Sequence, residues 1–162
     1  MSTKHEMDPR LAETIGEQDH RKVVAPYIKL ISVTEGVKGD KVWLWDIRMT
    51  QPNKVHIPMP AVHSLEHCIA IFIKRHLDGV INFGCMGCQT GFYLPVMNGG
   101  GDYDKMCDAI EKTLKDILVA KEVPVANEEQ CGWWKNHSLE GAQEIARNVL
   151  AAGRSKWQRV FS

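Results

Sequence analysis

The apolar residues of this chain shift from alternation to a helical period and back, and only a fold that mixes strands and helices accommodates both spacings. Val23 to Val33 reads VVAPYIKLISV, rich in β-branched residues, and the turn-forming stretch Glu35-Gly36-Val37-Lys38-Gly39-Asp40 follows it. That pattern predicts a hairpin. In its second arm, Val42 to Met49, alternation sets Trp43, Trp45, Ile47 and Met49 on one face and Val42, Leu44, Asp46 and Arg48 on the other. Past a Pro-rich loop at 51–60, Leu65, Ile69, Phe72, Ile73 and Leu77 predict an amphipathic helix over Val62 to Leu77. Two short apolar stretches, Val80 to Phe83 and Gly91 to Met97, read as strands joined by Gly84 to Thr90. Asp102 is placed to cap a helix with the stripe Tyr103, Met106, Cys107, Ile110, Leu114, Ile117 and Leu118. A last helix carries Leu139, Ala142, Ala146, Val149 and Leu150 to a stop at Gly153.

With 162 residues, 44% of them hydrophobic, the chain can bury one core but is short for two ordinary domains. Residues 1–12 are polar and without period, so a flexible tail is expected there and a single domain over 13–162. Twenty Lys and Arg against twenty Asp and Glu leave no net field to gather nucleic acid or an anionic membrane, so neither is expected as a partner. No apolar run approaches the ~20 residues of a membrane helix. Met1 to Leu11 is polar where a secretion signal would be apolar, which predicts a cytoplasmic protein. Five cysteines without an export signal make a poor disulfide framework, so each is read singly.

The strongest local signal is His63-Ser64-Leu65-Glu66-His67. On a helix, positions i, i+3 and i+4 fall within about 100° of arc, so two imidazoles and a carboxylate point one way. His at i and i+4 can bind one metal ion, and the Glu between them can move protons at whatever the metal polarises; the alternative is two surface histidines. Catalytic zinc-type sites commonly take three protein ligands. Cys131, in a loop beside Gly132, is the candidate third, against the alternative of a buried structural cysteine. Cys68 and Cys107 read as core residues. Cys85-Met86-Gly87-Cys88 is a C-x-x-C whose spacing suits a redox dithiol or half a zinc knuckle, but it stands between apparent strands and has no second pair. Arg48 could clamp an anionic group.

Taken together, several segments resemble the S-ribosylhomocysteine lyase (LuxS) family. They are Asp19-His20 before Val23-Val24-Ala25-Pro26-Tyr27, Asp46-Ile47-Arg48, Gln51-Pro52-Asn53-Lys54, the His63–His67 motif, Met86-Gly87-Cys88-Gln89-Thr90-Gly91-Phe92-Tyr93, and Gln130-Cys131-Gly132 with His137-Ser138-Leu139-Glu140-Gly141-Ala142. The resemblance implies an α+β fold, an antiparallel sheet packed against helices, and a homodimer with active sites at its interface. It implies cleavage of S-ribosylhomocysteine to homocysteine and 4,5-dihydroxy-2,3-pentanedione, a quorum-sensing precursor. His63, His67 and Cys131 would ligate one divalent metal, natively Fe2+ with Zn2+ or Co2+ as substitutes. Glu66 and Cys88 would be the acid/base pair, and His20, Arg48 and Asn82 would contact substrate.

The chain also departs from that family's pattern. Thr14-Ile15-Gly16 stands where the family reads Glu-Ser-Phe, and Asn82-Phe83-Gly84-Cys85 where it reads Asp-Ile-Ser-Pro. These changes keep a diverged relative with another substrate, or a ligand- or redox-sensing role, beside the lyase. The new C-x-x-C would let Cys85 lock Cys88 as a disulfide. H-x-x-E-H is also a metallopeptidase pattern, one that normally takes a distant carboxylate as third ligand.

Overall fold

A computed structural model describes residues 18–161; the expected tail at 1–12 and positions Ile15 and Gly16 lie outside the described residues. Strands β1 (Tyr27–Glu35) and β2 (Lys41–Arg48) form the expected hairpin. With β3 (Gly84–Cys85) and β4 (Gly91–Met97) they make an antiparallel sheet in the order β1-β2-β4-β3. Helices α1 (Met59–Phe72), α2 (Tyr103–Val119) and α3 (Leu139–Ala152) pack together and against one face of that sheet, and a short α4 (Arg154–Trp157) follows. The architecture is α+β around one core.

Register decides which strand residues meet the helices. Ile28 pairs with Ile47, Leu30 with Trp45, and β2 sets Ile47 against Phe92 and Trp45 against Leu94, so all six share the helix-facing side. Trp45, Phe92, Leu94, Leu65, Ile69 and Leu114 are fully buried there, each contributing roughly 1.5–3 kcal/mol of apolar transfer. The opposite face carries Tyr27 against Arg48 and Lys29 against Asp46, and these four are buried as well. The alternation expected for β2 is therefore present, but its polar side is not a solvent face.

Helix caps follow the chemistry of their residues. Asp102 accepts from the Lys105 amide at 3.1 Å at the start of α2, and Ser138 accepts from the Gly141 amide at 3.0 Å at the start of α3. Gly153, at φ 81°, ends α3 in a conformation that side chains resist. Helix α1 begins three residues before the expected Val62, because Pro60 in its first turn is harmless where amides have no helical partner anyway. It gives way to a 3₁₀ turn at Ile73–Arg75, before Leu77.

One expected strand is corrected. Val80 to Phe83 makes only an isolated bridge from Val80 to Val96, and the short β3 lies in the stretch read as a connection. Ile81 donates its amide to the Pro95 carbonyl at 3.0 Å, but Pro95 has no N–H to return, so a regular ladder cannot run there.

Candidate active site

Helix α1 presents His63 and His67 toward the loop that joins α2 to α3. The His63 Nδ1 lies 2.9 Å from the Asn136 carbonyl and the His67 Nδ1 2.8 Å from the Pro124 carbonyl. A carbonyl only accepts, so each Nδ1 carries the proton and each Nε2 keeps its lone pair. The same loop delivers Cys131, whose Sγ sits 3.4 Å from His63 Nε2.

The loop also delivers His137, which the sequence reading did not assign to the metal. Its Nε2 is 3.6 Å from Cys131 Sγ, and its ring stacks on His63 with centroids 3.8 Å apart. Ser64 Oγ donates to the Pro60 carbonyl at 2.9 Å, so it receives the His137 Nδ1–H at 3.0 Å and the Ser138 amide at 2.8 Å. Burial, then the neighbouring His63 and His67, pull His137 down to about 4 and keep the ring neutral at pH 7. Its spacing, six residues after Cys131, was the available signal.

The four donor atoms of His63, His67, Cys131 and His137 lie within 4.8 Å of one another. For a tetrahedral ion at about 2.3 Å from sulfur and 2.1 Å from nitrogen, the S···N edge is about 3.6 Å. The observed 3.4 and 3.6 Å edges match, and three imidazoles with a thiol suit zinc, ferrous iron or cobalt. The donors that join the His pair are thus Cys131 and His137, not the carboxylate that the metallopeptidase pattern calls for. Glu66, partly exposed, lies between the two histidines on α1 and acts on the Cys85 thiol.

A second group lies on the other face of the sheet. Arg48 binds Asp46 through Nη2 on Oδ2 at 2.7 Å and Nε on Oδ1 at 3.2 Å, while its Nη1 reaches Thr90 Oγ1 at 2.8 Å and Cys88 Sγ at 3.8 Å. Gly91 permits this approach of strands, since a Cβ there would meet the Ile47 carbonyl at 2.8 Å and the Arg48 Cα at 3.1 Å. Burial alone would raise the Cys88 thiol, but hydrogen bonding with Thr90 and the Arg48 charge outweigh it and leave the thiol below its ordinary value. His20 shares with Cys88, Thr90, Lys54 and His56 a cavity of about 350 Å³, and its Nδ1 is fixed on the Gln18 carbonyl at 2.8 Å.

Asn82 is exposed, and among the described residues no hydrogen bond ties its side chain to either group. All five cysteines are free, with Cys68 and Cys107 in the core as expected. Cys85 pairs across the sheet with Phe92, which puts it on the helix side, where burial and then Glu66 push its thiol up. Cys88 faces Arg48 instead. A Cys85–Cys88 disulfide would have to pull Cys88 away from that partner.

Comparison with known proteins gives one result throughout. A family model described as S-Ribosylhomocysteinase (LuxS) matches residues 17–160. The chain is 57% identical over 143 residues, 88% of its length and 92% of the relative's, to an S-ribosylhomocysteine lyase of Oceanobacillus iheyensis. It is 52% identical over 144 residues (89% and 92%) to that of Chromohalobacter salexigens, and 49% identical over 142 residues (88% and 92%) to that of Helicobacter pylori.

Proposed function

The chain belongs to the S-ribosylhomocysteinase (LuxS) family, and from that premise we propose that it cleaves the thioether of S-ribosylhomocysteine, releasing homocysteine and 4,5-dihydroxy-2,3-pentanedione. The observation that carries the reading is the convergence of His63, His67, Cys131 and His137 over α1, whose Glu66 stands between the two histidines. His63, His67 and Cys131 would hold one divalent ion, natively Fe2+ with Zn2+ or Co2+ as substitutes, and His137 lies at the remaining position, which a substrate oxygen would have to take or share. Bound there, the metal would supply Lewis-acid polarisation of a sugar carbonyl or hydroxyl oxygen, without a redox change.

The protein's own groups then move protons. The carbonyl must migrate along the ribose until the sulfur lies β to it, and each shift removes a proton from one carbon and returns it to the next. Cys88 fits that role because Arg48 and Thr90 favour its thiolate as base, while the thiol formed can give the proton back. Glu66 would serve the later transfers, taking the α-proton as the thiolate of homocysteine departs. His20, Arg48 and Asn82 would contact the substrate, with Arg48 offering Nη1 while Asp46 occupies the rest of its fork.

Within one chain the metal donors belong to the helix layer, and Cys88 and Arg48 to the far side of the sheet. No hydrogen bond, ion pair or ring contact among the described residues joins the two groups. A cytoplasmic homodimer would complete the site by setting the thiol group of one copy against the metal group of the other. Mixing Cys88→Ala with Cys131→Ala protein should then restore part of the activity that each lacks, whereas continued inactivity in verified mixed dimers would argue against a shared site.

The reading as a whole is tested by free-thiol release when S-ribosylhomocysteine is added to protein purified without oxygen, with metal content measured in parallel. Release that disappears in Glu66→Ala is expected. A folded, metal-loaded protein that releases no thiol would move the assignment to another substrate.

A further inference from the structure

The ion pair beside Cys88 is the end of a longer chain of hydrogen bonds. Lys29 Nζ donates to Gln18 Oε1 at 2.7 Å, Gln18 Nε2 donates to the Tyr27 hydroxyl at 2.6 Å, and that hydroxyl donates to Asp46 Oδ2 at 3.2 Å. Asp46 then receives Arg48, whose Nη1 reaches Cys88. Lys29, Tyr27, Asp46 and Arg48 are each no more than 4% exposed. The bonds from Lys29 to Asp46 run one way, each donor bonding to the group that donates next, the arrangement in which hydrogen bonds reinforce one another.

Such a chain constrains rotation. Arg48 alone would leave its carboxylate partner free to turn about its own bond, and the guanidinium would turn with it. Tyr27 pins Oδ2 from a second direction, and Gln18, held by Lys29, pins the Tyr27 hydroxyl. What Asp46 leaves unbound on Arg48 is Nη1, and it donates to Thr90 and reaches Cys88. The 3.8 Å contact to sulfur is already long, so a small rotation of the guanidinium would lose it.

We propose that Tyr27 and Gln18 are positioning residues for Cys88, holding Asp46 so that the Arg48 guanidinium stays aimed at the thiol. Neither touches the sulfur. The main-chain carbonyl of Gln18, which Gln18→Leu keeps, separately fixes the His20 ring that walls the Cys88 cavity. The other groups facing the thiol, Thr90 from its own loop, Tyr93 from β4, and His20, Lys54 and His56 from the cavity, are unaltered by the substitutions below.

The inference rests on the proposed proton-carrying role of Cys88 only where turnover is concerned; the state of the thiol can be read without substrate. The experiment follows iodoacetamide alkylation of the metal-loaded protein across pH, with Cys88 and Cys85 resolved by peptide mass. Tyr27→Phe and Gln18→Leu should each move the Cys88 midpoint up by about half a pH unit or more, slowing its alkylation roughly twofold below the midpoint, because the more basic thiolate is also the better nucleophile. The Cys85 profile should stay in place, and kcat should fall more than KM rises. An unmoved Cys88 profile in the folded variants overturns the proposal, and if Tyr27→Phe does not fold, Gln18→Leu decides. A shifted profile with full turnover would uphold the positioning role and remove Cys88 from the reaction.

Discussion

The metal group and the thiol group are built on opposite principles. His63 and His67 are held by main-chain carbonyls of Asn136 and Pro124, so their orientation depends on the path of a loop. Cys88 has main-chain amides of its own loop beside it, but its charged support runs through side chains, from Thr90 and Arg48 back to Asp46 and Tyr27. Main-chain support survives substitution of the residue that provides it, whereas side-chain support disappears with that residue. The metal group should accordingly fail at its donors and the thiol group at its supports.

The largest effect expected from that contrast is at a donor. Cys131→Ala removes the one sulfur among four converging atoms and should cost far more than the ~10–100-fold in metal affinity or activity that loss of an outer partner brings. Metal analysis after dialysis, beside a thiol-release assay, checks it. Retained metal with lost activity would place Cys131 in another role.

Next in size is a support of the thiol group. Arg48→Ala leaves the Asp46 carboxylate buried against a vacated space, with side chains that were 4% and 5% exposed as a pair. Breaking a buried pair from one side costs about 3–5 kcal/mol. Denaturant unfolding should show that loss, and Arg48→Lys should recover only part of it, since an ammonium cannot reproduce the two-point grip on Asp46. An unchanged midpoint for Arg48→Ala would mean that the pair does not hold this end of the sheet.

A smaller effect tests the exception within the metal group. Ser64 Oγ is the side-chain support there, joining His137 Nδ1, the Ser138 amide and the Pro60 carbonyl. Ser64→Ala should weaken metal binding by about 10-fold through the freed His137 ring, measurable by chelator competition. If affinity holds, the stack of His137 on His63 is sufficient to keep that ring in place.

These contrasts also explain what could be read before the structure. The His63–His67 motif was legible because helical spacing alone sets the directions of its side chains, and the Asp102 cap because one residue makes it. The hairpin was legible from alternation. His137 was not, because its approach to Cys131 depends on how a loop with little regular structure folds back over α1. The burial of Arg48 was hidden for a related reason: alternation tells which face a residue joins, not what covers that face. Val80 to Phe83 misled because its apolar pattern is that of a strand, and the obstacle is Pro95 in the partner.

The smallest expected effect compares the two cysteines that sit three residues apart and face different groups. Cys88 lies below the ordinary thiol value and Cys85 above it, because Arg48 and Thr90 favour one thiolate while burial and Glu66 disfavour the other. At a pH below both midpoints, the thiolate fraction of Cys88 is the larger, so limited iodoacetamide should label Cys88 first. A thiolate of lower pKa is also the weaker nucleophile, with a Brønsted slope of about 0.4–0.5, which cancels about half of the advantage on a logarithmic scale. Preference should therefore be only severalfold near pH 7. It should shrink as pH rises through the two values, and reverse above both, where each thiol is ionised and the more basic Cys85 reacts faster. Equal labelling at every pH would mean that Arg48 does not act on Cys88 in solution, and the contrast between the two groups would lose its charged half.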